Sequence, residues 1–229
     1  KGHTVSGLSL AQDDGVAVGL FGCTTGAEIC NLKLTGASVT GTMMVAAGIG
    51  YAHETLVDNV DLVGANSITG KHVDGGYPND MLAGIIGAGM GITVKNCDIT
   101  ADGNKVTVIT VEAGAQNVGL IGGGLEGGAM ADCTVSAGTV TVGDNSIGIG
   151  GLTGCAMEFD EVSGCSVKGV TIKAGDSAYL VGGLTGYTGK GDGELTEVSV
   201  CSSPVTITLC KDAGRIVVRI CGRFFLPVF

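Results

Sequence analysis

Residues 94–122 decide the fold. They read Val94-Lys95-Asn96-Cys97-Asp98-Ile99, then Val106-Thr107-Val108, then Gly119-Leu120-Ile121-Gly122. The first element is apolar-x-x-(Leu/Val/Cys)-x-apolar, the second places a threonine beside branched residues, and the third is Gly-apolar-x-Gly. All three recur along the chain. The first occurs as Val5/Leu8/Leu10, Ile29/Leu32/Leu34, Val57/Val60/Leu62, Val94/Cys97/Ile99, Met130/Cys133/Val135, Val162/Cys165/Val167 and Leu195/Val198/Val200, with central positions 24, 28, 37, 36, 32 and 33 residues apart. The second follows as Val39-Thr40, Ile68-Thr69, Val106-Thr107-Val108, Val140-Thr141-Val142, Val170-Thr171-Ile172 and Val205-Thr206-Ile207. The third lies between copies, at Gly19–Gly22, Gly84–Gly87, Gly119–Gly122, Gly151–Gly154 and Gly183–Gly186, with a degenerate form at Gly48-Ile49-Gly50.

Self-similarity at a period of 20 to 50 residues is the signature of a repeat architecture. Strands of three to five residues cannot bury an apolar face alone, but coils stacked at about 4.8 Å bury it continuously. The period alone would also suit helical repeats. Alternation of two and the abundance of glycine exclude them, and a propeller needs four strands per blade. The chain is therefore expected to be all-β, a right-handed parallel β-helix (β-solenoid) with three short strands per coil and about seven coils, roughly 30 Å long. The glycines at fixed phase are expected where coils turn tightly or approach closely.

Composition agrees. The 229 residues include 43 glycines, 3 prolines and no tryptophan, yet 45% are hydrophobic, which argues for a packed core rather than a flexible linker. Every apolar run falls short of the roughly 20 residues that span a bilayer, so membrane insertion is not expected. A net charge of −10 argues against a nucleic-acid partner, which requires a basic stripe. Residues 1–210 read as the repeat domain. Residues 211–229 read as an atypical C-terminal segment, net +3 against −13 for the rest, and as either a cap over the last coil or an altered continuation of the array.

The segments Gly2-His3-Thr4-Val5-Ser6-Gly7-Leu8, Val18-Gly19-Leu20-Phe21-Gly22 and Gly26-Ala27-Glu28-Ile29-Cys30-Asn31-Leu32-Lys33-Leu34 resemble the glycine-rich "GLUG" repeat regions of large bacterial surface and secreted proteins, adhesins and IgA-specific metallopeptidases among them. Val94–Ile99 and Val181–Gly186 are similar to the same repeats, and the resemblance covers residues 1 to about 208. It implies an extracellular or cell-surface β-helical stalk or display region within a longer polypeptide. The peptidase zinc motif His-Glu-x-x-His is not matched, because His53-Glu54 is followed by Thr55, Leu56 and Val57. The expected function is thus a non-catalytic scaffold or adhesin-like module, whose partner is a host or cell-surface glycan or protein. The alternatives are a carbohydrate-active β-helix enzyme and a self-associating structural protein.

Individual residues refine these expectations. Cys97, Cys133 and Cys165 occupy one repeat position where Leu8, Leu32, Val60 and Val198 stand elsewhere, so they are expected to form an inward thiol ladder, although neighbouring rungs lie within disulfide reach. The nine cysteines contain no CxxC pair to hold a metal. The insert that lengthens one coil carries His72, Asp74, Tyr77, Asn79 and Asp80, the candidate ligand-binding loop, against the plainer reading of a solvated insertion. Asp102, Asp144, Asp176 and Asp192 read as turn residues, with calcium at such turns as the one candidate cofactor.

The threonines Thr40, Thr69, Thr107, Thr141, Thr171 and Thr206 are expected to form an outward ladder with ordinary hydrogen bonding. A sharper reading, an ice-binding face, requires two parallel files as Thr-x-Thr. In sequence Thr139/Thr141 and Thr206/Thr208 satisfy this, and most coils do not.

Overall fold

The computed structural model describes residues 2–12, 16–71, 81–189, 197–199, 205–209 and 216–217. These form a right-handed parallel β-helix of about 6 turns with three sheets. One sheet has 13 strands and the other two have 7 each. All strand pairings are parallel, apart from an isolated antiparallel bridge between Asp102 and Lys105 in a turn. Among the described residues there is no helix, and so none long and apolar enough to cross a membrane.

Each coil runs from the large sheet, around a corner, into the second sheet and then the third. The coil after Ile86–Lys95 continues through Asp98–Thr100, Thr107–Val111 and Gln116–Gly119 before returning to the large sheet at Gly122–Ala131. Alternation sends every second side chain inward, so equivalent residues stack in columns. Val39, Ile68, Ile109, Val140 and Ile172 form the column of the second sheet, and Val45, Leu82, Val118, Ile149 and Val181 that of the third. All ten are 3% exposed or less. Each such side chain contributes about 1.5–3 kcal/mol by leaving water, so the column is the main source of stability.

Register corrects the phase of several sequence elements. Val5 pairs with Leu34 and Leu10 with Val39, so Val5/Leu8/Leu10 is the second half of a coil, not a copy of Ile29/Leu32/Leu34. The true step there is 29 residues, not 24. Val198 stacks on Val162 instead of Cys165, so the last copy is displaced by three. Gly122 stands level with Ile86 and Thr153, which moves the Gly119–Gly122 element by one position. In the C-terminal segment, Ile216–Val217 pair in parallel with Val181 and Gly182 and extend the third sheet. The remainder of 211–229 lies outside the described residues.

Two glycines show why the third element is needed. A Cβ at Gly154 would overlap the Asn117–Val118 peptide, and one at Gly50 the Ala17–Val18 peptide. Coils approach there too closely for any side chain.

Candidate functional site

The second sheet presents a flat outward face built from short strands of identical register. Ser38 stacks on Ser67, Ser67 on Val108, Val108 on Thr139, Thr139 on Thr171 and Thr171 on Thr206. Beside this file runs a second: Thr40, Thr69, Thr110, Thr141, Lys173 and Thr208. The inward residue between the two files is always a buried branched one in coils two to six, from Val39 to Ile172. Every residue of both files is exposed or half-buried. With strands about 4.8 Å apart and two residues of rise between files, the array repeats at about 4.8 Å along the solenoid and about 6.6 Å across it.

This arrangement overturns the single threonine row. Thr107 points into the solenoid and is fully buried, level with Gly138 and Val170, while Thr110 takes its place outside. Thr171 and Thr206 belong to the other file from Thr40, Thr69 and Thr141. The cause is parity: Thr107 and Thr110 are three residues apart, an odd step, and therefore face opposite sides of one strand.

Hydrogen bonding separates the outward face from the rest of the molecule. Buried or corner hydroxyls find partners within the protein. Thr24 bonds Thr55 at 3.1 Å, Thr153 donates to the Cys155 carbonyl at 2.9 Å, and Thr185 to the Tyr187 carbonyl at 2.8 Å. Among the described residues, the hydroxyls of Ser38, Thr40, Ser67, Thr69, Thr110, Thr139, Thr141 and Thr171 make no such bond. An internally bonded threonine ladder is therefore not what this face contains. Its hydroxyls are left for solvent or a ligand.

Thr107 instead belongs to a corner that sequence reading missed. Asn66 is 2% exposed, accepts the Ala37 amide at 3.0 Å on Oδ1, and donates from Nδ2 to Thr107 Oγ1 at 3.2 Å and to the Val63 and Gly64 carbonyls at 3.3 Å each. It ties together backbone groups of two coils and a side-chain hydroxyl of a third. A polar residue amid Val63-Gly64-Ala65-Asn66-Ser67-Ile68, just before the inward-outward alternation begins, was the available signal.

Cys97, Cys133 and Cys165 stand in register inside the large sheet, 0%, 0% and 1% exposed. Their thiols donate to the carbonyls of Lys95, Ala131 and Ser163 at 3.2, 3.3 and 3.2 Å. None of the six described cysteines is joined in a disulfide. Contact with the Cys165 and Cys97 thiols, reinforced by burial, holds the Cys133 thiol well above the usual range. Burial pushes Cys155 up to about 11, with the Glu126 carboxylate adding to the shift. Just before Leu32, Val60, Cys97 and Cys133, the residues Asn31, Asn59, Asn96 and Asp132 adopt φ values of 56°, 57°, 53° and 53°, the left-handed conformation that Asn and Asp tolerate best. Asn59 Nδ2 donates to Asn31 Oδ1 at 2.8 Å, so the corner is stitched from coil to coil.

The carboxylates serve the backbone. Asp61 Oδ1 accepts the Asp98 amide at 3.1 Å, Asp98 Oδ1 the Thr134 amide at 3.2 Å, and Asp144 Oδ1 the Asp176 amide at 2.7 Å. Desolvation raises the Asp61 pKa above the ordinary carboxylate value. A hollow of about 270 Å³ beside Asp61 is lined by His3, Asn31, Lys33 and Asn59 among others. Among the described residues no group of three His, Cys, Asp or Glu side chains converges to hold a metal ion, so the calcium expectation finds no donor set there. His72, Asp74, Tyr77, Asn79 and Asp80 lie outside the described residues, as does Asp192.

Comparison of the chain with family models, with curated proteins and with solved structures returned no match.

Proposed function

We propose that the chain is a non-catalytic display or adhesive module of a secreted or cell-surface bacterial protein, and that its contact surface is the hydroxyl-bearing face of the second sheet. The observation that carries this reading is the double file of outward Ser and Thr side chains without partners inside the protein. A solenoid holds such an array rigid, because each strand is hydrogen-bonded on both sides. A flat, pre-ordered surface loses little conformational freedom on contact, which favours adhesion through many weak interactions. The resemblance of Gly2–Leu8 and Val94–Ile99 to bacterial surface repeats supports the same reading.

The test is retention of the fluorescently labelled chain on immobilised surfaces, including glycan arrays and whole cells, with a Thr69→Lys/Thr110→Lys variant alongside. Adhesion that the variant loses supports the reading. Adhesion that the variant keeps moves the contact elsewhere, and turnover of a polysaccharide that Asp61→Asn abolishes replaces the reading with an enzymatic one.

A further inference from the structure

The two files also limit what can lie against them. Across the strands Ser38–Gly41, Ser67–Gly70, Thr107–Val111 and Gly138–Val142, the outward positions are Ser38, Thr40, Ser67, Thr69, Val108, Thr110, Thr139 and Thr141, and none is charged. That patch is neutral on a chain of net charge −10. A protein partner would be gripped by exposed Trp, Tyr or Arg anchors, a nucleic acid by Lys and Arg, and a small ligand by a concave pocket. The patch offers methyl and hydroxyl groups in a plane.

A planar array that repeats in two directions fits a partner that is itself flat, uncharged and periodic. Water bound to its unpaired hydroxyls would sit in the trough between the files, with the threonine and valine methyls beside it. Ordered water held in this way bridges nearly as well as a direct hydrogen bond. Many weak bridges on a rigid lattice act together, because no rotor or loop has to be ordered at contact.

Resting on the adhesive reading above, we propose that this face binds the surface of ice, with the four-threonine file of Thr40, Thr69, Thr110 and Thr141 and the parallel file of Ser38, Ser67, Val108 and Thr139 as the contact, Ser and Val standing in the second file where a strict Thr-x-Thr pattern would have threonine. Lys173, exposed in the next strand, bounds the array on one side.

The experiment measures recrystallisation of ice in frozen sucrose and adsorption of the fluorescent chain to a single ice crystal. The full chain is expected to slow crystal growth and to label a discrete set of crystal planes. Thr69→Lys/Thr110→Lys is expected to need about tenfold more protein for the same effect, because two long side chains lift the plane off its partner. Thr93→Lys, on an exposed position of the large sheet, is expected to behave as the parent. Circular dichroism of each variant confirms the coil stack. No slowing and no plane labelling by the parent overturns the proposal, as does equal loss in Thr93→Lys. If the parent ignores ice yet adheres to an insoluble polysaccharide, and the Thr69/Thr110 variant does not, the ice assignment falls while the adhesive face stands. If the variant adheres to every surface as the parent does, the face itself is wrong.

Discussion

Thr107 and Thr110 share one strand and differ in facing, so removing the hydroxyl from each in turn separates the two roles. Thr107→Val takes away the acceptor of an Asn66 Nδ2 hydrogen bond at 3.2 Å inside a corner with no access to water. A buried hydrogen bond contributes about 0.5–1.5 kcal/mol net, and leaving its partner unsatisfied costs about 1–3 kcal/mol. Asn66 Nδ2 keeps the Val63 and Gly64 carbonyls, which limits the loss to the lower half of that range. The expected destabilisation is therefore about 1–2 kcal/mol, which lowers the melting temperature of a chain this size by about 2–8 °C. Thr110→Val removes an exposed hydroxyl with no intramolecular partner and keeps a branched side chain suited to a strand, so its change stays within about 0.5 kcal/mol. Thermal and urea unfolding by circular dichroism, read as the difference between the two variants, measures this. Equal destabilisation, or a larger effect at Thr110, would refute the register and the outward placement of Thr110 with it.

Asn66→Ala should cost more than Thr107→Val, about 2–3 kcal/mol, since it frees the Ala37 amide as well, and the same melting experiment reads it. Native-state alkylation should modify exposed Cys23 rapidly and leave Cys97, Cys133 and Cys165 protected until denaturant is added, as mass spectrometry would report. Cys155 titrates near 9.0 when unfolded and is pushed up to about 11 by burial, so its stabilising contribution is full below pH 9 and is lost as pH rises toward 11, by about 2–3 kcal/mol. Cys155→Ala should flatten the pH dependence of the urea midpoint over that window. Asp61→Asn keeps the acceptor for the Asp98 amide and removes a partly buried charge, so the neutral-pH midpoint should rise slightly or hold. A fall would point to a role for the charge itself.

The parallel β-helix and its three sheets were legible because each element repeats its own chemistry: branched residues inward, glycine where peptides touch, threonine beside a strand. Phase was harder to read. In Val106-Thr107-Val108-Ile109-Thr110-Val111 both threonines sit between branched residues, and composition cannot say which faces water. The parity of the neighbours can. Ser38-Val39-Thr40, Ser67-Ile68-Thr69 and Thr139-Val140-Thr141 align with Val108-Ile109-Thr110 once the strand, rather than the threonine, is taken as the unit. Val5/Leu8/Leu10 misled for a related reason: apolar-x-x-apolar-x-apolar also arises across a corner, where two alternations of different phase meet. Asn66 escaped notice because a buried corner amide leaves no periodic trace. Two of its partners, Ala37 and Thr107, come from neighbouring coils, 29 and 41 residues away in the chain.

The interval from one coil to the next varies from 27 residues between Val18 and Val45 to 41 between Ile68 and Ile109, yet the columns stay level. Surplus residues are taken up in turns between strands, such as the one closed by Asp102 and Lys105, or in a bulge within a strand, such as that between Phe159 and Glu161. The molecule thus has one dimension that sequence drift can alter and one that it cannot. Peptide inserted at a corner changes the outline of a single cross-section, while the interval from coil to coil remains that of a backbone hydrogen bond. A surface ruled at that interval survives insertions in every coil above and below it. Evolution, or an engineer, can therefore rewrite the corners freely without respacing the face.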